Sequence, residues 1–287
     1  MPAARIGVIG GSGLYQIDGM TDAQEIDIET PFGKPSDAIM VGTLEGQRIA
    51  FLPRHGKGHR ISPSELPVKA NIFAMKTLGV EHLISISAVG SLREDIKPLD
   101  LVVPDQLIDR TRGRASTFFG NGIVVHVGMA DPFCPVLSGL LGKTAKNAGA
   151  TVHEGGTYVV MEGPQFSTRA ESNLYRSWGA SVIGMTALPE AKLAREAEIC
   201  YSILACSTDY DCWYESHESV TVEMVIRNLL QNVSSAKSIL KDLLPRIPTV
   251  RTCSCASALQ SAIITSPERI PAKTKAQLEP LIGKYLK

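Results

Sequence analysis

The sequence predicts a single α/β domain. Short apolar runs alternate with stretches of helical spacing from one end of the chain to the other. No repeat, linker or low-complexity tract is long enough to divide it. The 287 residues are 44% hydrophobic and 20% charged, which suffices for one large core.

The elements follow in order. Ile6–Ile9 is an apolar strand that runs into Gly10, Gly11 and Gly13, a glycine turn. Residues 38–43 and 48–53 read as a hairpin around Leu44–Gln47. Lys69–Leu78 carries helical spacing and is stopped by Gly79. His82–Ser87 is a buried strand, and Leu101–Val103 is a short one before Pro104. Helices are expected at Val136–Ala148 and Thr168–Trp178, with strands at Thr157–Met161 and Val182–Ile183. Pro189 opens a helix to about Glu198, because proline suits a first helical turn. Cys200–Ala205 is a strand, Val220–Leu244 the longest helix, and Lys275–Tyr285 a helical tail.

Lysine plus arginine number 29, and so do aspartate plus glutamate. That balance argues against a nucleic-acid backbone binder, which needs a positive excess. No apolar run is long enough to span a bilayer, and the N-terminus has no signal-peptide pattern. A cytoplasmic protein without a nucleic-acid or membrane partner is expected. The six cysteines include no C-x-x-C pair, which disfavours a zinc ribbon. Cys253 and Cys255 form a C-x-C, read as free thiols or a redox pair. The other four sit among apolar residues and are expected to act as small core hydrophobes.

Chemistry-bearing residues collect at the ends of expected strands. The turn Gly10–Gly13 suggests an anion nest with the hydroxyl of Ser12, or only a tight turn. It is not a dinucleotide fingerprint, because position 16 is Gln, and no Gly-Lys-Ser/Thr follows. Arg54 and His55 end another strand, as an oxyanion grip or a basic surface loop. Ser87 and Ala88 end a third, where small residues expose backbone N–H groups and ligands gather in α/β sheets. Phe166 is free to stack on a flat base or to pack in the core. Met185 offers a soft apolar face and Thr186 a hydroxyl. Asp209 and Asp211, beside Trp213, form a carboxylate pair that costs folding energy unless something pairs with it. A metal is one partner; the amino group and ring nitrogen of a base are another.

These motifs coexist as an anion set and a base set. Gly10-Gly-Ser-Gly-Leu14, Thr30-Pro-Phe-Gly-Lys-Pro-Ser-Asp37, Arg54-His-Gly56, Ala88-Val-Gly-Ser-Leu-Arg93, Met161-Glu-Gly-Pro-Gln-Phe-Ser167, Gly184-Met-Thr186 and Thr208-Asp-Tyr-Asp-Cys-Trp213 resemble the trimeric purine nucleoside phosphorylase family. Within it they look like the branch that takes 5'-methylthioadenosine. The resemblance runs from about residue 5 to residue 245. It implies a mixed central sheet flanked by helices over 1–245, with 246–287 an extension packed on the same domain or on a neighbouring subunit. It implies cleavage of the N-glycosidic bond by inorganic phosphate, a co-substrate, with no cofactor and no metal. Ser12, Arg54, His55, Ser87, Ala88 and Thr186 then form the phosphate site, Ala88 through its N–H. Phe166 stacks on the base and Met185 meets the ribose. Asp209 and Asp211 read adenine, with Asp209 the acid at the leaving purine. Ser167, Val222, Val225 and Ile226 tune preference, the last three as the wall of the 5' pocket or else as the core face of their helix. His126 reaches a neighbouring subunit's site, and the assembly is a homotrimer or a dimer of trimers. Pro67 and Gly184 depart from the Asn often found at those places. The C-x-C is one that heat-stable relatives use in disulfides.

Overall fold

A computed structural model describes residues 3–11, 14, 18–214 and 222–286, except for the side chains of Val222 and Met224. Among the described residues eleven strands form one mixed sheet. Its central block is parallel: β1 (Ile6–Gly10) lies between β4 (Gln47–Pro53) and β5 (His82–Ser91), and β11 (Cys200–Asp209) pairs with β5 on the far side. β3 (Ile39–Leu44) makes the expected hairpin with β4. β9 (Thr157–Met161) and β10 (Val182–Gly184) are parallel to each other, and β10 runs antiparallel to the end of β5.

Helices cover both faces because strand side chains alternate sides. Ile9 and Leu83 pack with Ile72 and Met75 of α1 (Val68–Thr77) and with Ala191 and Ala194 of α4 (Ala187–Glu196). Val8 and Ile84 face Leu137 and Leu141 of α2 (Pro135–Asn147) and Ala236 and Leu240 of α5 (Val222–Leu243). α3 (Arg169–Ser177) begins at Thr168, whose hydroxyl accepts the Glu171 N–H while Glu171 returns to the Thr168 backbone. That reciprocal cap fixes the start of the helix just after Phe166 and Ser167.

Three strands escaped the sequence pattern. β2 (Thr21–Ile26) is a polar, exposed edge strand, held by its ladder with β3 rather than by an apolar face. β7 (Gln106–Arg110) is a largely exposed end strand on β9, and β8 (Val152–Glu154) has three residues. β5 and β11 each extend four residues beyond the expected ends at Ser87 and Ala205, which carries Ser87–Gly90 and Thr208–Asp209 into the sheet. The expected tail helix is broken into α6 (Ala272–Gln277) and α7 (Glu279–Ile282), followed by a 3-10 turn.

The segment after 245 lies against the same body. Leu281 and Ile282 enter the α1/α4 core, and Cys255 and Ile247 enter the other. Ile263 bridges Val125, and the His126 N–H donates to Ala262 O at 2.9 Å. Among the described residues no helix is long and apolar enough to cross a membrane.

Candidate active site

The register of the parallel block brings separate sequence motifs to one edge. Gly10 pairs with both Pro53 and Ile86, so Gly11 and Arg54 leave β1 and β4 beside Ser87, where β5 runs on to Ser91. Ala205 and Cys206 pair with Ser87 and Ala88. The ladder then slips between Ser207 and Asp209, and Asp209 lands opposite Gly90. On the other side of β5, Ile183 also pairs with Gly90, so Gly184–Thr186 passes beside the same strand end. Ligands gather where strand directions change in α/β sheets, and here two parallel blocks meet head to tail.

The base side is a buried carboxylate pair. Asp209 Oδ1 accepts the Asp211 N–H at 2.8 Å, and Asp209 Oδ2 lies 2.7 Å from Thr208 Oγ1. Thr208 Oγ1 also lies 3.2 Å from Val89 O. A hydroxyl has one hydrogen and cannot donate to both. The shorter contact takes it, so Thr208 donates to Asp209 Oδ2. Burial nevertheless raises the Asp209 pKa against the Thr208 and Asp211 hydrogen bonds and so favours a proton there. Asp211 is pushed up to about 6, chiefly by burial and further by the charge of Asp209. Its Oδ2 is buried without a well-formed hydrogen bond, though the Ser172 and Ser167 hydroxyls lie close enough to lower its pKa. Gly90 makes room for the pair: a Cβ there would stand 2.9 Å from Asp209 Oδ1 and 3.3 Å from Asp211 Cβ. Asn228 and Asn232 of α5 donate to Thr208 O and Ser207 O, holding the slipped register. Trp213 Nε1 donates to Ser91 O and anchors the far side.

On the anion side, Ser87 Oγ and Tyr158 OH are buried without a well-formed hydrogen bond. Thr186 is buried at the start of α4, and its hydroxyl makes no capping bond. Ala88 is half-buried on β5. Ser12 lies outside the described residues. His55 is buried, and its Nδ1 contacts Ile61 O at 2.8 Å. Burial and the neighbouring Arg54 charge depress its pKa to about 4. The imidazole is therefore neutral at pH 7, with Nδ1–H donating and Nε2 left as an acceptor.

Arg54 is turned into the fold and is not part of a basic surface loop. Its guanidinium is 1% exposed and holds Glu190 with two nitrogens, at 3.0 and 3.3 Å. It also donates to Ile86 O, Ile9 O and Ser85 Oγ. Tyr201 OH donates to Glu190 at 2.7 Å. A buried charge needs such partners, and the cation here ties together β1, β4 and β5 beneath the site. Among the described residues NH1 keeps one hydrogen without an acceptor.

The sugar and 5' elements surround this edge. Met185 is half-buried, and its sulfur fills the space a side chain at Gly163 would need, at 2.5 Å from the ideal Cβ position. Phe166 is 52% exposed and is not a core residue. Ser167 Oγ contacts Met161 Sδ, and its carbonyl accepts from Cys212 Sγ. Val225 is half-buried and Ile226 is 50% exposed, so the core face of α5 lies elsewhere, along Val233, Ala236, Leu240 and Leu243. The Val222 side chain lies outside the described residues. His126 is exposed and remote in sequence from all of these.

Two residues that the sequence did not single out position the site. Arg114, paired with Glu162, donates to Met185 O and Leu188 O and fixes the path of the 185–188 loop. Tyr158 explains Gly184, because its OH occupies the place of a Cβ there at 2.2 Å. Pro67, the other departure, stands at the N-cap position of α1 without a side-chain capping bond and lines a cleft with Arg114 and Pro189.

Comparison with known proteins decides the family. The family model described as the phosphorylase superfamily matches residues 5–245. The chain belongs to the phosphorylase superfamily. Within that superfamily it is 60% identical to the S-methyl-5'-thioadenosine phosphorylase of Geobacter sulfurreducens, over 98% of this chain and 99% of the relative. It is 56% identical to the enzyme of that name from Thermosynechococcus vestitus, over 99% of each. Its fold superposes on a methylthioadenosine phosphorylase sourced from an Antarctic soil metagenomic library with a TM-score of 0.94 and 50% identity, covering 98% and 99% of the two chains. A methylthioadenosine phosphorylase from Schistosoma mansoni, solved with adenine, superposes with a TM-score of 0.81 at 37% identity, over 86% of this chain and 93% of the other. The expected mixed sheet flanked by helices is the fold that this phosphorylase adopts.

Proposed function

We propose that the protein catalyses phosphorolysis of S-methyl-5'-thioadenosine, giving adenine and 5-methylthioribose 1-phosphate. The observation that carries this reading is the buried Asp209–Asp211 pair, with one carboxyl favouring a proton and the other holding an oxygen without a well-formed hydrogen bond. A 6-aminopurine offers what each needs. N7 accepts a proton from Asp209, and the exocyclic amino group donates to Asp211 Oδ2. A 6-oxopurine would set its carbonyl oxygen against that same oxygen, which disfavours a broader 6-oxopurine phosphorylase. Full-length relatives at 50–60% identity that carry this enzyme name support the assignment.

Bond breaking leaves the N9 electron pair on the purine and positive charge on the sugar. The proton at N7 neutralises the leaving group. Phosphate beneath C1' stabilises the cation and closes the new C–O bond, so positioning and electrostatics supply the catalysis. Ser12, Ser87 and Thr186 hydroxyls, the Ala88 N–H and the free NH1 hydrogen of Arg54 hold the phosphate. His55 accepts the P–OH hydrogen through Nε2. Phe166 stacks on adenine, Met185 meets the ribose, and Ser167, Val222, Val225 and Ile226 surround the methylthio group. Inorganic phosphate is a co-substrate and the chemistry calls for no metal or cofactor. The protein works in the cytoplasm as a homotrimer or dimer of trimers, with His126 turned to a neighbouring subunit. The test is product analysis with methylthioadenosine, adenosine and inosine, with and without phosphate. Adenine release that persists at full rate without phosphate would make the protein a nucleosidase and sink the reading.

A further inference from the structure

The sequence scatters the cysteines, but the fold gathers four of them. Cys134, Cys200, Cys253 and Cys255 place their sulfurs within 4.8 Å of one another. They come from three distant parts of the chain: the residue before α2, the first residue of β11, and the C-x-C of the C-terminal segment. Cys134, Cys200 and Cys255 are buried, and Cys253 is half-buried. The reading of Cys134 and Cys200 as separate core hydrophobes does not account for this convergence.

We propose that these four cysteines form a closed four-thiolate site for Zn²⁺, which clips the C-terminal segment to the sheet. A tetrahedral zinc–thiolate centre has bonds of about 2.3 Å, so its sulfurs stand about 3.8 Å apart. The cluster spans that spacing, with Cys200 Sγ and Cys253 Sγ at 3.3 Å. Four sulfurs fill all four positions of a structural site and leave none open for water, as partial burial also requires. Binding replaces four S–H bonds by four Zn–S bonds and releases four protons, leaving a centre of net charge −2.

The surroundings suit that charge. Cys134 caps the N-terminus of the 13-residue helix α2, and the Leu137 N–H points at its sulfur at 3.5 Å. Helix N-termini stabilise thiolates. Arg5 and Arg251 both pair with Glu81, at 3.1 and 3.8 Å. Arg5 in turn donates to Pro248 O and Thr249 O, at the entry to the C-x-C segment. The clip has a functional reach. The segment it would hold runs on to Ala262 and Ile263, which grip the backbone around His126.

The experiment uses the purified full-length protein and does not depend on its activity. Zinc is measured by elemental analysis after gel filtration, and its release is followed as a mercurial titrates the thiols. The expected result is one zinc per chain, six reactive thiols after denaturation with chelator, and, on replacement by Co²⁺, the intense visible bands of tetrahedral cobalt thiolate. Cys253→Ser/Cys255→Ser is expected to lose the metal while keeping its far-ultraviolet spectrum and to become more easily clipped by protease after residue 245. Cys206→Ala, outside the cluster, keeps the metal. An intact mass short by two hydrogens per bridge, with no zinc, would show that the cluster is disulfide-bonded and overturn the proposal. Full-mass protein that binds neither Zn²⁺ nor Co²⁺ would reduce it to a thiol cluster, and zinc retained by the double variant would show that the ligands are wrong.

Discussion

Asp209 Oδ1 accepts the backbone N–H of Asp211 at 2.8 Å, so one carboxylate of the pair fixes the position of the other. The slip in β11 sets this geometry by putting Asp209 opposite Gly90 while Asp211 turns away in a left-handed conformation at φ 51°. Asp209→Asn cannot protonate N7 and presents an amide in place of an acid. Turnover of methylthioadenosine should fall about 10²- to 10⁴-fold, the range for loss of a general acid. The ratio of inosine to methylthioadenosine turnover should rise. Steady-state kinetics on both substrates check this, and full methylthioadenosine activity would remove Asp209 from the leaving-group role.

The raised Asp211 pKa makes stability depend on pH. Its neutral form is favoured in the fold, so its contribution is fully present below the ordinary carboxylate value of 3.8 and is lost as pH rises through about 6. His55 acts in the opposite sense. Its contribution is present above 6.5 and is lost as pH falls through about 4. The two trends overlap, so variants must separate them. The stability gap between Asp211→Asn and the parent should shift in favour of the variant by about 2–3 kcal/mol between pH 4 and 7. Urea unfolding at a series of pH values measures it, and a pH-independent gap would contradict the assignment.

Arg54 and Glu190 form the most deeply buried ion pair among the described residues, at 1% and 2% side-chain exposure. Glu190→Gln leaves the guanidinium charge without its counter-ion. The expected loss is about 3–5 kcal/mol in denaturant unfolding. Arg54→Lys keeps a charge but cannot span Glu190 and three strands at once. It should destabilise less than Glu190→Gln while raising the KM for phosphate.

Gly184 and Tyr158 are matched. A Cβ at Gly184 would meet the Tyr158 hydroxyl at 2.2 Å. Gly184→Ala should therefore displace Met185 and Thr186 and lower kcat/KM at least tenfold, about 1.4 kcal/mol. Removing the hydroxyl relieves the tightest contact but leaves the ring Cζ at 2.9 Å, so Tyr158→Phe should restore part of the loss in the double variant. A double-mutant cycle with no coupling would show that the two residues do not share this space.

Phe166 is half exposed, so its removal costs the fold little. Phe166→Ala should change unfolding free energy by less than about 0.5 kcal/mol. The KM for methylthioadenosine should rise about 5- to 100-fold, because stacking an aromatic ring on a base is worth about 1–3 kcal/mol. Calorimetry and kinetics on one preparation separate the two effects.

Much of this was legible in the chain because strands end in characteristic residues. The runs Ile6–Ile9 and Ile49–Leu52 carry no polar side chain, and His82–Ser87 is apolar at Leu83, Ile84 and Ile86, as strands covered on both faces are. The residues after them stand out by contrast: glycine, Arg54-His55, small residues and paired aspartates. β2 and β7 were illegible for the converse reason. They lie at exposed ends of the sheet, and ladder hydrogen bonds, which leave no mark on side-chain pattern, hold them. Arg114 and Tyr158 were also illegible. Each acts on a residue far away in sequence, Leu188 or Gly184, and nothing local announces such a contact.

The sequence by itself determined the α/β class, the order of most elements and the residues able to meet phosphate and purine, because these follow from local pattern and side-chain chemistry. Tertiary structure decided what those residues do. It turned Arg54 inward to Glu190, left Asp211 with an oxygen that lacks a well-formed hydrogen bond, and brought four scattered cysteines within reach of one another. Each of these depends on which strands pair and in what register, and a one-residue slip in a ladder moves a side chain to the other face of the sheet.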